Sequence, residues 1–161
     1  MRGGALPPAL LASALGFALA FAPRRAIAPG VAVFAGVATA VSFARIDPAW
    51  TDAIFYGCWT SVIVTALSVH LPRTLRLRAA VLLACNAGLW AGAVIAAAGA
   101  PLDLAKALPW VLICLPASLL VSRGMGIAIK VVASWLVAVS ILAAALPTLT
   151  PTPGYVGDHM E

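Results

Sequence analysis

Acidic side chains are scarce in this chain, and none lies deep within an apolar run. Asp47, Asp52, Asp103, Asp158 and Glu161 are the only five in 161 residues. Carboxylates so few and so placed leave little for general acid–base work. Histidine is limited to His70 and His159, and cysteine to Cys58, Cys85 and Cys114, with no C-x-x-C pair. An odd, dispersed set of cysteines argues against a disulfide framework and against a paired-thiol redox centre. Two distant histidines do not make a metal-ligand cluster, so neither a metal nor another cofactor is expected. The G-x-S-x-G elbow, the Walker loop and the H-E-x-x-H helix are also missing. No catalytic residue is assigned, and an enzyme is not expected.

Charge of either sign is sparse as well. Charged residues make up 9% of the chain and hydrophobic ones 63%, whereas a soluble domain carries about 25% charged residues to face water. The uncharged stretches are long: residues 6–22, 26–44, 53–71, 79–102, 107–122 and 127–146. Only the last holds a formal charge, Lys130, near its start. About 20 apolar residues are what a helix needs to cross the roughly 30 Å hydrocarbon layer. The chain therefore reads as an all-α polytopic transmembrane bundle of six spans over residues 1–146. An extended extracytoplasmic tail follows over 147–161, where repeated prolines favour a polyproline-like form. Residues 107–122 are short and contain Pro109 and Pro116, which leaves a five-span chain with a re-entrant element as the competing topology.

The ten basic residues set the orientation. Arg24, Arg25, Arg73, Arg76, Arg78 and Arg123 fall in the first, third and fifth connections, with Lys130 just beyond; Arg2, Arg45 and Lys106 fall on the other side. Short loops follow the positive-inside bias, so the odd connections are expected in the cytoplasm and both termini outside. Such scattered cations lack the aromatic-rich surface of a nucleic-acid site, and no nucleic-acid partner is expected. The expected surroundings are a lipid bilayer, a bacterial inner membrane, together with other membrane subunits or further copies of the chain. Residues 1–22 have the outline of a secretory signal, with Ala20-Phe21-Ala22 as a small-x-small site. Pro23 directly after it disfavours cleavage, and the segment is expected to remain as the first helix.

Alanine and glycine are frequent, and Gly88-x-x-x-Gly92 sets two glycines on one face of the fourth run. Small faces let membrane helices approach closely, and tight packing within the chain is the expected use here. Arg123-Gly124-Met125-Gly126 lies close to the Gly-x-Gly-Asp signature of membrane aspartyl prepilin peptidases, but Ile127 stands where the aspartate is required. A tight turn between helices is the better reading. Pro116 should kink its span or free a carbonyl. Trp50 and Trp110 fit an interfacial belt, while Trp59, Trp90 and Trp135 are expected to fill packing gaps. Residues 10–16 and 82–88 resemble one another, which would suit an inverted repeat.

Four residues are candidates for a transport path: Asp52, Tyr56, His70 and Asn86. Asp52 and Tyr56 recur at helical spacing and His70 falls on roughly the same stripe. Intramembrane polar groups often mark such routes. As bland alternatives, Asp52 and His70 simply flank their helix ends, and Asn86 bonds across to Ser13, Ser134 or Ser140 as structural glue. The leading expectation is a non-catalytic subunit of a membrane complex. A small-solute transporter or channel is the second, and a lysis-type pore former the third.

Overall fold

The computed structural model describes residues 5–71 and 76–148, and these are mostly helical with no strand among them. Helix α1 spans Leu6–Ala20, α2 Arg24–Ser42, α3 Thr51–Ser68 and α4 Leu77–Ala98. The fifth apolar stretch is broken into α5 (Pro101–Ala107), a 3-10 segment (Leu108–Ile113) and α6 (Cys114–Ser122), and α7 covers Gly126–Ala145. Four stretches, Arg24–Ser42, Leu77–Ala98, Leu102–Ser122 and Gly126–Ala145, are long and apolar enough to cross a membrane. Arg2, Arg73 and nearly all of the tail, residues 149–161, lie outside the described residues.

Prolines explain the broken stretch. Pro109 and Pro116 each lack the N–H that would bond to the carbonyl four residues earlier. The backbone between Leu108 and Ile113 tightens to 3-10 geometry, a form used in short pieces where the α ladder fails. The stretch nevertheless does not turn back. Lys106 and Trp110 lie beside Ala5 and Leu6 at the start of α1. Ile113 and Cys114 lie against Gly16, and Gly126 comes to Phe21 at the far end. It runs alongside α1 in the same direction.

Helix α1 occupies the centre. Leu11, Leu15 and Leu19 have no solvent exposure, and Ser13, Gly16 and every other residue from Leu11 to Ala20 is buried. A helix apolar on all sides is one enclosed on all sides, and α1 packs on α3, α4, α6 and the 3-10 segment. Gly16 permits that enclosure. A Cβ there would sit 2.9 Å from the Val111 carbonyl oxygen, a backbone atom that cannot step aside.

Helices α2 and α4 form the most extensive pairing in the bundle. On α2 the buried positions recur every four residues, Ala26, Gly30, Phe34 and Ala38. On α4, Gly88 faces Phe34 and Ala38, and Gly92 faces Ala38 and Ser42, so the two helices run parallel. A Cβ at Gly88 would lie 2.8 Å from the Phe34 carbonyl oxygen, and one at Gly92 2.6 Å from that of Ala38. The Gly88-x-x-x-Gly92 spacing thus serves contact within the chain. No hydrophobic effect separates helices from lipid tails, so close backbone approach and dispersion are what hold such a pair in oil.

The turn between α6 and α7 closes as the glycines suggest. Gly124 has φ +81°, its N–H donates to Val121, and the Met125 N–H donates to Leu120 at 2.9 Å. These two bonds form the Schellman arrangement, which puts glycine at the left-handed position.

Many large apolar side chains point outward, including Leu82 at 70% exposure, Ile127 at 76% and Val131 at 63%. Trp135 is among them at 63% and fills no packing gap, contrary to the sequence expectation; Trp59, at 4%, does. Cys58 and Cys114 are buried free thiols, whereas Cys85 is exposed.

Candidate functional site

A groove opens on the side of the bundle between α3 and α4. It encloses about 740 Å³ and is lined by Gly57, Ser61, Val64, Leu82, Asn86 and Trp90, among others. Two features shape it. Gly57 has no side chain to obstruct the Trp90 ring, which lies directly over it. Val64, Leu67, Leu71 and Leu82 stand along its open walls, each at least half exposed.

The polar element of the groove is one pair. The Asn86 side-chain amide donates to the Ser61 hydroxyl at 2.6 Å. Asn86 is the tenth residue of α4, so at 1.5 Å per residue it stands about 13 Å from the helix start. Ser61 is seven residues from the end of α3, at a similar depth. The sequence expectation had offered Ser13, Ser134 or Ser140 as the partner, and the structure corrects it. Ser13 donates to the Ala9 carbonyl and Ser140 to the Leu136 carbonyl, each within its own helix. Ser134 donates to Lys130 and meets His70 instead. Among the described residues the Asn86 carbonyl oxygen has no donor, although the side chain lines the groove.

The other transport-path candidates do not converge on this pair. Asp52 and Tyr56 are exposed in the first turns of α3. Tyr56 meets Phe55 edge-on at 5.5 Å between ring centres. His70 lies just beyond the opposite end of α3, where its Nε2 is 3.0 Å from the Ser134 hydroxyl of α7. Asp52, Tyr56 and His70 are exposed and spread along the length of α3, whereas Trp59 on the same helix is buried. Among the described residues no group of three His, Cys, Asp or Glu side chains is placed to hold a metal ion.

A second recess lies at the end of the bundle where the first and third connections meet. Phe21, Ala22, Pro23 and Leu77 form its apolar lining, and Arg25, Arg76 and Arg78 its charged one, around about 670 Å³. Arg24 starts α2 beside it, and the Arg123–Gly126 turn approaches through the contact of Gly126 with Phe21. The connections that the charge pattern grouped together are therefore gathered at one end. Arg73 belongs to the same group in the sequence but lies outside the described residues. Among the described residues the one ion pair joins Lys106 to Asp103 at 3.6 Å, at the other end of the bundle. Among the described residues no carboxylate reaches the arginines of the recess.

Comparison with protein-family models, with curated proteins and with solved structures finds no match.

Proposed function

We propose that the chain is a non-catalytic integral membrane protein that works by lateral association with another membrane protein through the α3–α4 groove. The carrying observation is the half-buried Asn86 amide. It spends one N–H on Ser61 and presents its remaining valence to a groove walled by leucine, valine and tryptophan. In hydrocarbon an amide oxygen without a donor is costly, and a neighbouring helix with a polar side chain satisfies it as lipid tails cannot. Asn is a recurrent glue between membrane helices for this reason.

Six spans fit this reading, with α1 sheltered by its neighbours. Its 15 residues give about 22 Å, short for a lone crossing, but protein rather than lipid surrounds it. The orientation that goes with it puts the arginine-rich end in the cytoplasm and both termini outside, in a bacterial inner membrane, by the positive-inside bias. A transport path receives less support: leucine side chains fill the bundle centre, and Asp52, Tyr56, His70 and Asn86 are dispersed around it.

Photo-crosslinking in membranes of the native host tests the proposal. A photoreactive side chain at Leu82, in the groove, should give a discrete protein adduct, while one at Val131, on the outward face of α7, should not. Asn86→Leu should abolish the Leu82 adduct without loss of membrane insertion. Lipid adducts alone from Leu82 would refute the association.

A further inference from the structure

We infer that the recess formed by Arg25, Arg76 and Arg78 over Phe21, Ala22 and Leu77 holds the phosphate of an anionic membrane lipid. The inference rests on the membrane reading above but not on the groove or its partner.

Three independent features meet in this recess. The first is unbalanced charge. Arg25, Arg76 and Arg78 share one concavity, Arg24 stands next to it, and among the described residues no carboxylate pairs with any of them. Topogenic bias explains cations at this end of the bundle, but it requires only that they lie on that side. It does not require three of them, from two separate connections, to line a single cavity.

The second feature is helix direction. Because α2 and α4 run parallel, both begin here, and neither has a capping side chain or an acidic residue in its first turn. Each helix start carries unsatisfied N–H groups and about half a positive charge. Two such ends beside three guanidinium groups repel one another until an anion enters. Guanidinium forks match phosphate oxygens in pairs, which makes arginine the better group for this task.

The third is the lining. Phe21, Ala22, Pro23 and Leu77 are apolar, so the recess suits an amphiphile whose phosphate meets the arginines while its glycerol and acyl carbons lie on the hydrocarbon side. Basic pockets at the cytoplasmic ends of membrane helices commonly take lipid headgroups. A fully hydrated inorganic ion would gain nothing from the apolar floor.

The test uses the full chain in nanodiscs of phosphatidylcholine, with phosphatidylglycerol titrated in and lipid retention read by native mass spectrometry. Phosphatidylglycerol should be retained in preference to phosphatidylcholine. The doubly substituted Arg76→Gln, Arg78→Gln protein should lose at least about five-fold of that preference, the scale of one basic residue at an anionic surface. Arg45→Gln, at the opposite end, should keep it. Should the double variant fail to insert, Arg78→Lys retains the topogenic charge while losing the fork, and its preference should still fall. Equal retention of the two lipids, an unchanged preference in the variants, or an equal loss in Arg45→Gln would overturn the assignment. So would full protection against thermal unfolding by inorganic phosphate alone, which would mark a soluble-anion site. If the chain instead stays in aqueous buffer without amphiphile, the membrane reading fails, and that outcome is distinct from a bilayer protein without lipid preference.

Discussion

The Trp90 ring occupies the space that a side chain at Gly57 would need, which joins α3 to α4 at the head of the groove. The fit is one of shape, since glycine leaves a hollow and the indole fills it. Gly57→Val should therefore cost about 1–3 kcal/mol through overpacking. In a Trp90→Ala background the same substitution should be much cheaper, because the obstructing ring has gone. Denaturant unfolding of the four proteins in detergent gives the coupling, expected to exceed about 1 kcal/mol. Strict additivity would show that the two residues do not share this space.

The α2–α4 seam predicts opposite signs for one chemical change at two glycines. Gly88 is pressed against the backbone of α2, whereas a Cβ at Gly36 would meet nothing within 4 Å. Gly88→Ala should destabilise by about 1–3 kcal/mol as the helices are forced apart. Gly36→Ala should stabilise by roughly 0.5–1 kcal/mol, since alanine loses less backbone entropy in a helix. Thermal midpoints of the two variants beside the parent protein decide the matter. A shift in the same direction for both would contradict the packing.

Thr65 offers a stabilising substitution inside the bundle. Among the described residues its hydroxyl is buried without a hydrogen-bond partner, as is the Trp59 indole N–H on the same helix. An unsatisfied buried hydroxyl costs about 1–3 kcal/mol relative to an apolar group of the same shape. Thr65→Val preserves the branching and volume, so the variant should be more stable by about 1 kcal/mol. A loss of stability would mean that the hydroxyl has a role the packing does not disclose.

Much of this architecture could be read from composition, because length and the spacing of charge are properties of single segments. Every one of the six apolar runs is helical, and the turn at Gly124 follows its glycine. Pro109 falls in the 3-10 segment where the fifth run gives up α geometry, and Pro116 in the first turn of α6 just after it resumes. What could not be read depends on facing between segments. Helix α1 sits at the centre, yet its leucines and alanines would look the same on a lipid-facing helix. Asn86 was legible as a buried polar residue in need of a partner, but Ser61 could be identified only once the depths of α3 and α4 were aligned. Ser13 and Ser140 were plausible partners until their hydroxyls proved to be spent on their own helices. Trp135 failed as a gap-filler because tryptophan is tolerated both in packed interiors and toward lipid, and the sequence carries no sign of which face it takes.

Orientation in the bilayer yields the last prediction. The arginine-rich end gathers the first and third connections and approaches the fifth, so all should lie on one side of the membrane. Single cysteines can report that side in a protein whose Cys58, Cys85 and Cys114 are replaced by alanine. Met125→Cys lies in the exposed α6–α7 turn at the arginine-rich end, and Ala44→Cys is exposed after α2 at the other end. A membrane-impermeant maleimide added to intact spheroplasts should label Ala44→Cys at once and Met125→Cys only after permeabilisation. The driving term is the bias of short basic loops toward the cytoplasm, to which acidic residues contribute little. Replacing Arg76, Arg78 and Arg123 by glutamine should therefore weaken the preference and let part of the population label at Met125→Cys without permeabilisation. Labelling of Met125→Cys, but not Ala44→Cys, in intact spheroplasts of the otherwise unaltered protein would invert the topology. The arginine recess would then face outward, away from the leaflet whose surface potential attracts it most strongly.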